Sequence, residues 1–185
     1  RISGQKESEF LAERLFAPLG IKRWWWEEDQ TGHTTGGFGL HLSTPDLAKF
    51  GQCLVDGGKW RGEQVIPMEW VAEATKLQVE TKPFYPPEAT EDSNGYGYQF
   101  WMCRRGGFRC SGLFGQLCYV RPDDDLVIAC SSSTTGSKAL LDPLYGVLFG
   151  EAEGRDVMAD KLGVDQIPTP AGLAFGGSLS MERLA

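Results

Sequence analysis

The chain has 185 residues, a formal net charge of −7 and a pI near 4.9, an acidic balance that argues against nucleic acid or an anionic membrane as partner. Its hydrophobic share of 41% and charged share of 23% are those of a soluble globular protein, and no apolar run approaches the roughly 20 residues of a membrane-spanning helix. The length allows one domain with a real core, and the opening Arg1-Ile2-Ser3-Gly4, without an initiator methionine or a signal-peptide pattern, reads as if cut from something longer.

Residues 5–17 (QKESEFLAERLFA) place Phe10, Leu11, Leu15 and Phe16 on one helical stripe, and Pro18-Leu19-Gly20 ends the helix. Trp24-Trp25-Trp26 has two readings: a packed segment on a loop-rich surface, or an aromatic wall beside a cleft in which Trp25 meets substrate. The glycine-rich run Thr31 to Gly39 follows no strand and lacks Gly-Lys-Ser/Thr, so it carries little weight as a phosphate loop. Ser43-Thr44-Pro45-Asp46 is a strong helix start, with a hydroxyl cap, a proline in the first turn and an early acid. That helix runs through Leu47, Phe50, Cys53 and Leu54 to Gly57-Gly58. An extended piece, Lys59 to Ile66, leads to a second helix at Pro67 with Met68, Val71, Ala74 and Thr75 on one face. Residues 78–95 form a long proline-rich loop.

From Tyr96 to Ser133 the pattern is a meander of three or four strands. Tyr96, Tyr98, Phe100 and Met102 alternate with Gly97, Gln99, Trp101 and Cys103. Arg105-Gly106-Gly107 turns the chain, Phe108 to Ser111 is a second strand, and Gly112-Leu113-Phe114-Gly115 interrupts it. Gln116 to Arg121 resumes, Pro122-Asp123-Asp124-Asp125 turns, and Leu126 to Cys130 reads as a strand buried on both faces. A glycine in mid-sheet marks a bulge or a place where a ligand approaches the backbone, which singles out Ser111-Gly112. Ser137 to Phe149 is an apolar helix with Pro143 inside it, able to cover a sheet. Residues 151–185, with Ile167-Pro168-Thr169-Pro170 and a glycine-rich run, read as a tail or linker.

Candidate chemistry is sparse. The only histidines, His33 and His41, have no acid or nucleophile at a meaningful spacing, so structural roles are expected. Five cysteines without a CxxC spacing disfavour a zinc site and point to a reducing, cytoplasmic-type compartment, with a cross-strand pair such as Cys103 and Cys118 left open. Asp123-Asp124-Asp125 lacks the glycine and distal glutamate of a calcium loop. No cofactor or metal is expected. Arg104, Arg105 and Arg109 cluster at the hairpin, either as a solvated turn or as a lure for a substrate carboxylate. Ser3-Gly4-Gln5-Lys6 formally matches Ser-x-x-Lys, but the acids Glu7, Glu9 and Glu13 that follow are wrong for a buried nucleophile helix.

Four segments taken together carry more. FLAERLFAPLG (10–20), GGFGLHLSTPDLAKFGQ (36–52), GGKWRGEQVIPMEWV (57–71) and SGLFGQLCYVRPDDDLVI (111–128), in this order, resemble the C-terminal part of the class C β-lactamase-related serine hydrolases. That family includes penicillin-binding esterases, peptidases and 6-aminohexanoate-dimer hydrolases, and the resemblance covers roughly residues 5–150. It implies an α+β (α/β) fold, an antiparallel sheet flanked by helices, with 1–150 the C-terminal part of the hydrolase domain. The family's third motif, usually Lys-Thr-Gly, falls on Cys110-Ser111-Gly112. By position the Leu113 N–H would be an oxyanion donor, Ser111 would contact the substrate's carboxylate or amide, and Arg109 could partly replace the missing lysine. The Ser-x-x-Lys and Tyr-x-Asn motifs would precede residue 5, so the chain is expected to carry one wall of the site without its nucleophile. The partner implied is a small-molecule or peptide amide or ester; a non-catalytic relative that binds a peptide or cell-wall fragment is the alternative. Self-association of the exposed apolar surface is also expected.

Overall fold

A computed structural model describes residues 3–85, 91–134 and 137–150. The expected tail at 151–185, residues 1–2 of the Arg1-to-Gly4 reading and the middle of the 78–95 loop at 86–90 lie outside the described residues. The chain divides into two units, residues 1–137 and 138–185. Helix α4 (Ser137–Phe149), which apart from its first residue belongs to the second, includes Pro143, and its Tyr145 and Phe149 rings lie 5.8 Å apart. No helix among the described residues is long and apolar enough to cross a membrane.

The first unit is built on an antiparallel meander ordered β5-β6-β7-β8: β5 (Trp101–Met102), β6 (Phe108–Gly112), β7 (Gln116–Arg121) and β8 (Leu126–Cys130). Gly106 and Gly107, at φ 80° and 71°, make the first reversal, because side chains rarely adopt that backbone region. The last reversal is a single 3-10 turn, Pro122–Asp124, closed by Asp125 at φ 50°. The register sets Phe108 opposite Val120 and Cys110 opposite Cys118. With period-2 alternation these four share one face, and Phe108, Cys118 and Val120 pack there with Leu54, Val71, Ala74 and Phe100.

Helix α2 (Thr44–Val55) lies on that face. Ser43 caps it as its sequence foretells: the Ser43 hydroxyl accepts from the Asp46 N–H at 3.2 Å. Helix and sheet meet so closely at Gly51 that a Cβ there would stand 2.6 Å from Val127 Cγ1 and 2.7 Å from Cys118 Sγ. A second core gathers Phe16, Leu19, Ile21, Trp26, Cys53 and Trp60. Helix α1 (Glu7–Leu11) feeds it through a π-helical turn, Ala12–Phe16. Hairpin β1–β2 (Trp24–Trp26 with Leu40–Leu42) covers it, and the Trp26 indole N–H donates to Thr35 O at 2.8 Å and Phe38 O at 2.9 Å, which pins the intervening loop. The short hairpin β3–β4 (Lys59–Trp60 with Glu63–Gln64) leads to α3 (Met68–Ala74).

Three expectations need correction. Residues 96–103 are not one strand: only Trp101–Met102 is, because the chain turns at Gln99, where φ is 68° and the Gly97 N–H donates to Phe100 O at 2.7 Å. Strand β8 is half-buried, being the last strand of its sheet. Helix α3 buries Val71 and Ala74 but leaves Met68 exposed.

Candidate functional site

The two residues of β5 pair with the first two of β6 only: Met102 with Phe108, and Trp101 with Arg109. Beyond Trp101 the chain bends away at Gln99, so Cys110, Ser111 and Gly112 are paired with β7 on one side and have no β5 partner on the other. A cavity of about 280 Å³ opens there, lined by Cys110, Ser111 and Gly112, by Gln99, by Gln116 and Leu117 of β7, by Leu40 and Leu42 of β2, and by Leu47 and Ser131. Apolar walls beside an open strand edge and a few polar groups are the ordinary makings of a small-molecule cleft.

The turn that follows β6 is fixed from both sides. Gly115 N–H donates to Gly112 O at 3.2 Å, Thr134 N–H to Phe114 O at 3.1 Å, and the Ser132 hydroxyl to Gly115 O at 3.0 Å. The Leu113 N–H itself donates to no described residue, and the Leu113 side chain is 77% exposed. Leu113 follows the cavity wall directly in sequence but is not itself among the residues that line it. Gly112 gives the Gln116 side chain room: a Cβ at 112 would stand 2.6 Å from Gln116 Oε1.

Of the residues singled out from sequence, Cys110, Ser111 and Gly112 line this cavity and Leu113 follows them directly. Arg109 and Trp25 are not brought to it. Arg109 is fully buried: Nη2 pairs with Asp92, Nη1 donates to Met102 O at 3.1 Å and to Cys103 Sγ at 3.6 Å, and the guanidinium lies 5.6 Å from the Trp101 ring. These contacts hold its charge inside the protein, away from a substrate carboxylate. Trp25 alternates with Trp24 and Trp26 and its ring lies tilted against His41 at 4.6 Å, whereas the cavity takes Leu40 and Leu42 from the opposite face of the hairpin. Arg104 pairs with Glu91.

The other candidates are placed as plainly. His33 accompanies the Asp29 turn and His41 lies 3.5 Å from Glu27, both exposed. Lys6 Nζ is 3.1 Å from Glu28, and the Ser3 hydroxyl accepts from the Gln5 N–H at 3.2 Å, so Ser3 and Lys6 form no catalytic pair. All five cysteines are free, and Cys118 faces Cys110 across the strands, not Cys103. Burial, with Cys118 beside it, pushes the Cys110 thiol well above its usual range, so at neutral pH it is no nucleophile. Among the described residues no three His, Cys, Asp or Glu side chains gather as a metal site requires. Gln99 was missed by sequence reasoning; its one signal was a polar residue in an otherwise aromatic strand pattern. Leu40, Leu42 and Leu47 gave no signal, because apolar residues in a strand and a helix read as core.

A larger groove of about 790 Å³ runs between α1 and α3, walled by Phe10, Leu11, Leu15, Trp70 and Phe100. Its lining is mostly apolar, with Arg14, Glu63 and Gln64 the polar residues on it, and Ser111 is not in it.

Comparison with known proteins gives a consistent picture. The family described as Beta-lactamase matches residues 1–149. A 6-aminohexanoate-dimer hydrolase of Paenarthrobacter ureafaciens is 30% identical over 139 residues, covering 72% of this chain and 35% of the relative. Among solved structures, a Bacillus anthracis protein described as a 6-aminohexanoate-dimer hydrolase is 26% identical with a TM-score of 0.63, covering 90% of this chain and 41% of that one. A penicillin-binding protein homologue from Caulobacter crescentus shares the fold, with 16% identity, a TM-score of 0.56, and coverage of 74% and 49%. An octameric penicillin-binding protein homologue from Pyrococcus abyssi does too, with 18% identity, a TM-score of 0.56, and coverage of 81% and 39%. The chain thus spans about a third of the length of the curated relative it matches.

Proposed function

Because the chain belongs to the Beta-lactamase family, with a hydrolase-like fold, we propose that it supplies one wall of a serine hydrolase site that cleaves an amide or ester through an acyl-enzyme. In this reading the substrate lies along the uncovered edge of β6. Ser111 and Gly112 flank its acyl group, and Leu113 N–H donates to the carbonyl oxygen as the tetrahedral intermediate gathers charge. The nucleophilic serine and the lysine that activates it would come from residues outside this sequence. Cys110 shapes the wall without reacting. The observation that carries the proposal is the coincidence of the open edge at 110–112 with the unengaged Leu113 N–H.

The test is intact mass after incubation with a fluorophosphonate, on the protein at its full natural length and on these 185 residues alone. One adduct on the full-length protein and none on the short chain is expected. A full-length protein that neither takes an adduct nor hydrolyses p-nitrophenyl esters, yet binds peptide or cell-wall fragments, would replace the hydrolase with a binding relative. Leu113→Pro removes the donor while leaving Ser111 in place. It should lower kcat by about 100-fold, the typical cost of losing one oxyanion donor, with the thermal melt as the check on folding.

Self-association belongs to the same reading. Met68, Trp70, Leu77, Val79 and Phe84 stand exposed on α3 and the segment after it. A large apolar patch of this kind is a surface to be covered. A clean monomer in light scattering at working concentration would contradict it.

A further inference from the structure

Gln99 has two features at the cavity that folding alone does not ask for. Its φ of 68° lies in the left-handed region, where a Cβ is strained and glycine is not, so a purely structural turn would be served better by glycine. Gln99 is exposed, and its side chain is held at one end: the Tyr96 hydroxyl donates to Gln99 Oε1 at 3.0 Å, while the Nε2 amide has no hydrogen bond to any described residue. The clamp is itself anchored, since the Tyr96 N–H donates to Val79 O at 2.9 Å and its ring packs edge-on against Trp101 at 4.6 Å. Burial raises the Tyr96 phenol further, so the hydroxyl remains a donor through the neutral range. Strained backbone under a polar side chain at a cleft is the combination that function, not stability, selects.

The lining of the cavity says what such a donor would meet. Among the described residues lining it none carries a charge, and four are leucines, Leu40, Leu42, Leu47 and Leu117. A neutral carbonyl oxygen, accepting one N–H among apolar walls, fits.

We propose that Gln99 is a substrate-recognition residue, its Nε2–H donating to a second carbonyl oxygen borne by the acyl part of the substrate, with Tyr96 fixing the carboxamide. The inference rests on the acyl-transfer reading of this cleft and narrows the substrate class. The preferred acyl groups are those with a carbonyl beside the scissile one, as in N-acylamino acyl compounds, over plain alkanoyl groups. A site built to hydrogen-bond one such group discriminates against the analogue that lacks it.

The experiment compares p-nitrophenyl N-acetylglycinate with p-nitrophenyl pentanoate on the full-length protein, for the wild type, Gln99→Gly, Gln99→Asn and Tyr96→Phe. Gln99→Gly should lower the ratio of kcat/KM between the two esters by about threefold to tenfold, the worth of one neutral hydrogen bond. Its Tm should hold or rise, because the strained φ is relieved. Gln99→Asn tolerates the same backbone region but is one methylene short, so it should lose discrimination without losing the fold. Tyr96→Phe should move the ratio the same way by less. An unchanged ratio in both Gln99 variants overturns the proposal, as does an equal loss on both esters accompanied by a lower Tm. A wild type that hydrolyses neither ester overturns the acyl-transfer reading and this inference with it. Hydrolysis of both with no effect of Gln99 overturns this inference alone.

Discussion

Along β6, Phe108 and Arg109 are paired on both sides, whereas Cys110, Ser111 and Gly112 are paired on one. The first half is closed. Its guanidinium is tied to Asp92 and to the Met102 carbonyl, and Phe108 sits in the core edge-on to Phe100 at 5.2 Å. The second half is open, with a cavity where the next strand would be and a turn whose N–H is spare. Three residues of sequence separate the fully buried Arg109 from the exposed Leu113. The lesson is that one strand can be both anchor and site, provided its neighbour stops in the right place. Here the neighbour stops at Gln99.

The comparison is broken most severely at the anchor. Arg109→Met removes a buried charge and takes a guanidinium partner away from Asp92. Losing one member of a buried pair costs about 3–5 kcal/mol, and because Asp92 is a quarter exposed the lower end, about 3 kcal/mol, is expected. Chemical denaturation at neutral pH measures it. A loss below about 1 kcal/mol would mean that Arg109 is no anchor and that the closed half of β6 stands without it.

A smaller effect comes from the layer beneath. Gly51→Ala drives a methyl group into Cys118, which is paired with Cys110 of the open half, and into Val127, which lies in register with Val120 and Phe108 of the closed half. Overpacking of this kind costs about 1–3 kcal/mol, offset by about 1 kcal/mol of helix propensity, so a net loss of up to about 2 kcal/mol is expected. A neutral result would show that α2 can lift from the sheet without harm.

The regular half of the molecule was legible in the sequence because its local signals agree. The β-rich runs bounded by the glycine pair at 106–107 and the proline turn at 122 set β6, β7 and β8, and the hydroxyl at Ser43 set the start of α2. The alternation from Tyr96 to Cys103 is just as clean, yet tertiary contacts overrule it: Gly97 lies against Ala74, close enough that a Cβ would meet Ala74 O at 2.3 Å, and the Tyr98 N–H donates to Ala74 O at 2.8 Å. No periodicity reports contacts with a helix twenty residues upstream. Ser111-Gly112 was legible through the order of motifs, whereas the role of Arg109 was not, since its partner Asp92 is 17 residues away and nothing in a cluster of arginines says which one is buried. The residues that break the local rule, Gln99 above all, are those that open the edge.

The mildest test concerns the loop that carries β2 to the cavity wall. Asp29 organises it: Oδ1 accepts from the Thr31 hydroxyl at 2.7 Å, from the Thr31 N–H at 2.8 Å and from the His33 N–H at 3.0 Å. The Thr31 hydroxyl, then the His33 and Thr31 N–H groups, hold the Asp29 carboxyl down from 3.8 to about 2. A depressed carboxyl contributes stability that is full above its unfolded value near 3.8 and is lost as pH falls through about 2. Asp29→Asn should therefore melt slightly below the wild type at pH 7, and the gap should close between about pH 4 and pH 2 as the wild-type carboxyl takes up its proton. A gap that persists at pH 2 would assign the loss to packing. A gap that closes as expected would place the order of this loop, and with it the seating of Leu40 and Leu42, on a single ionised oxygen.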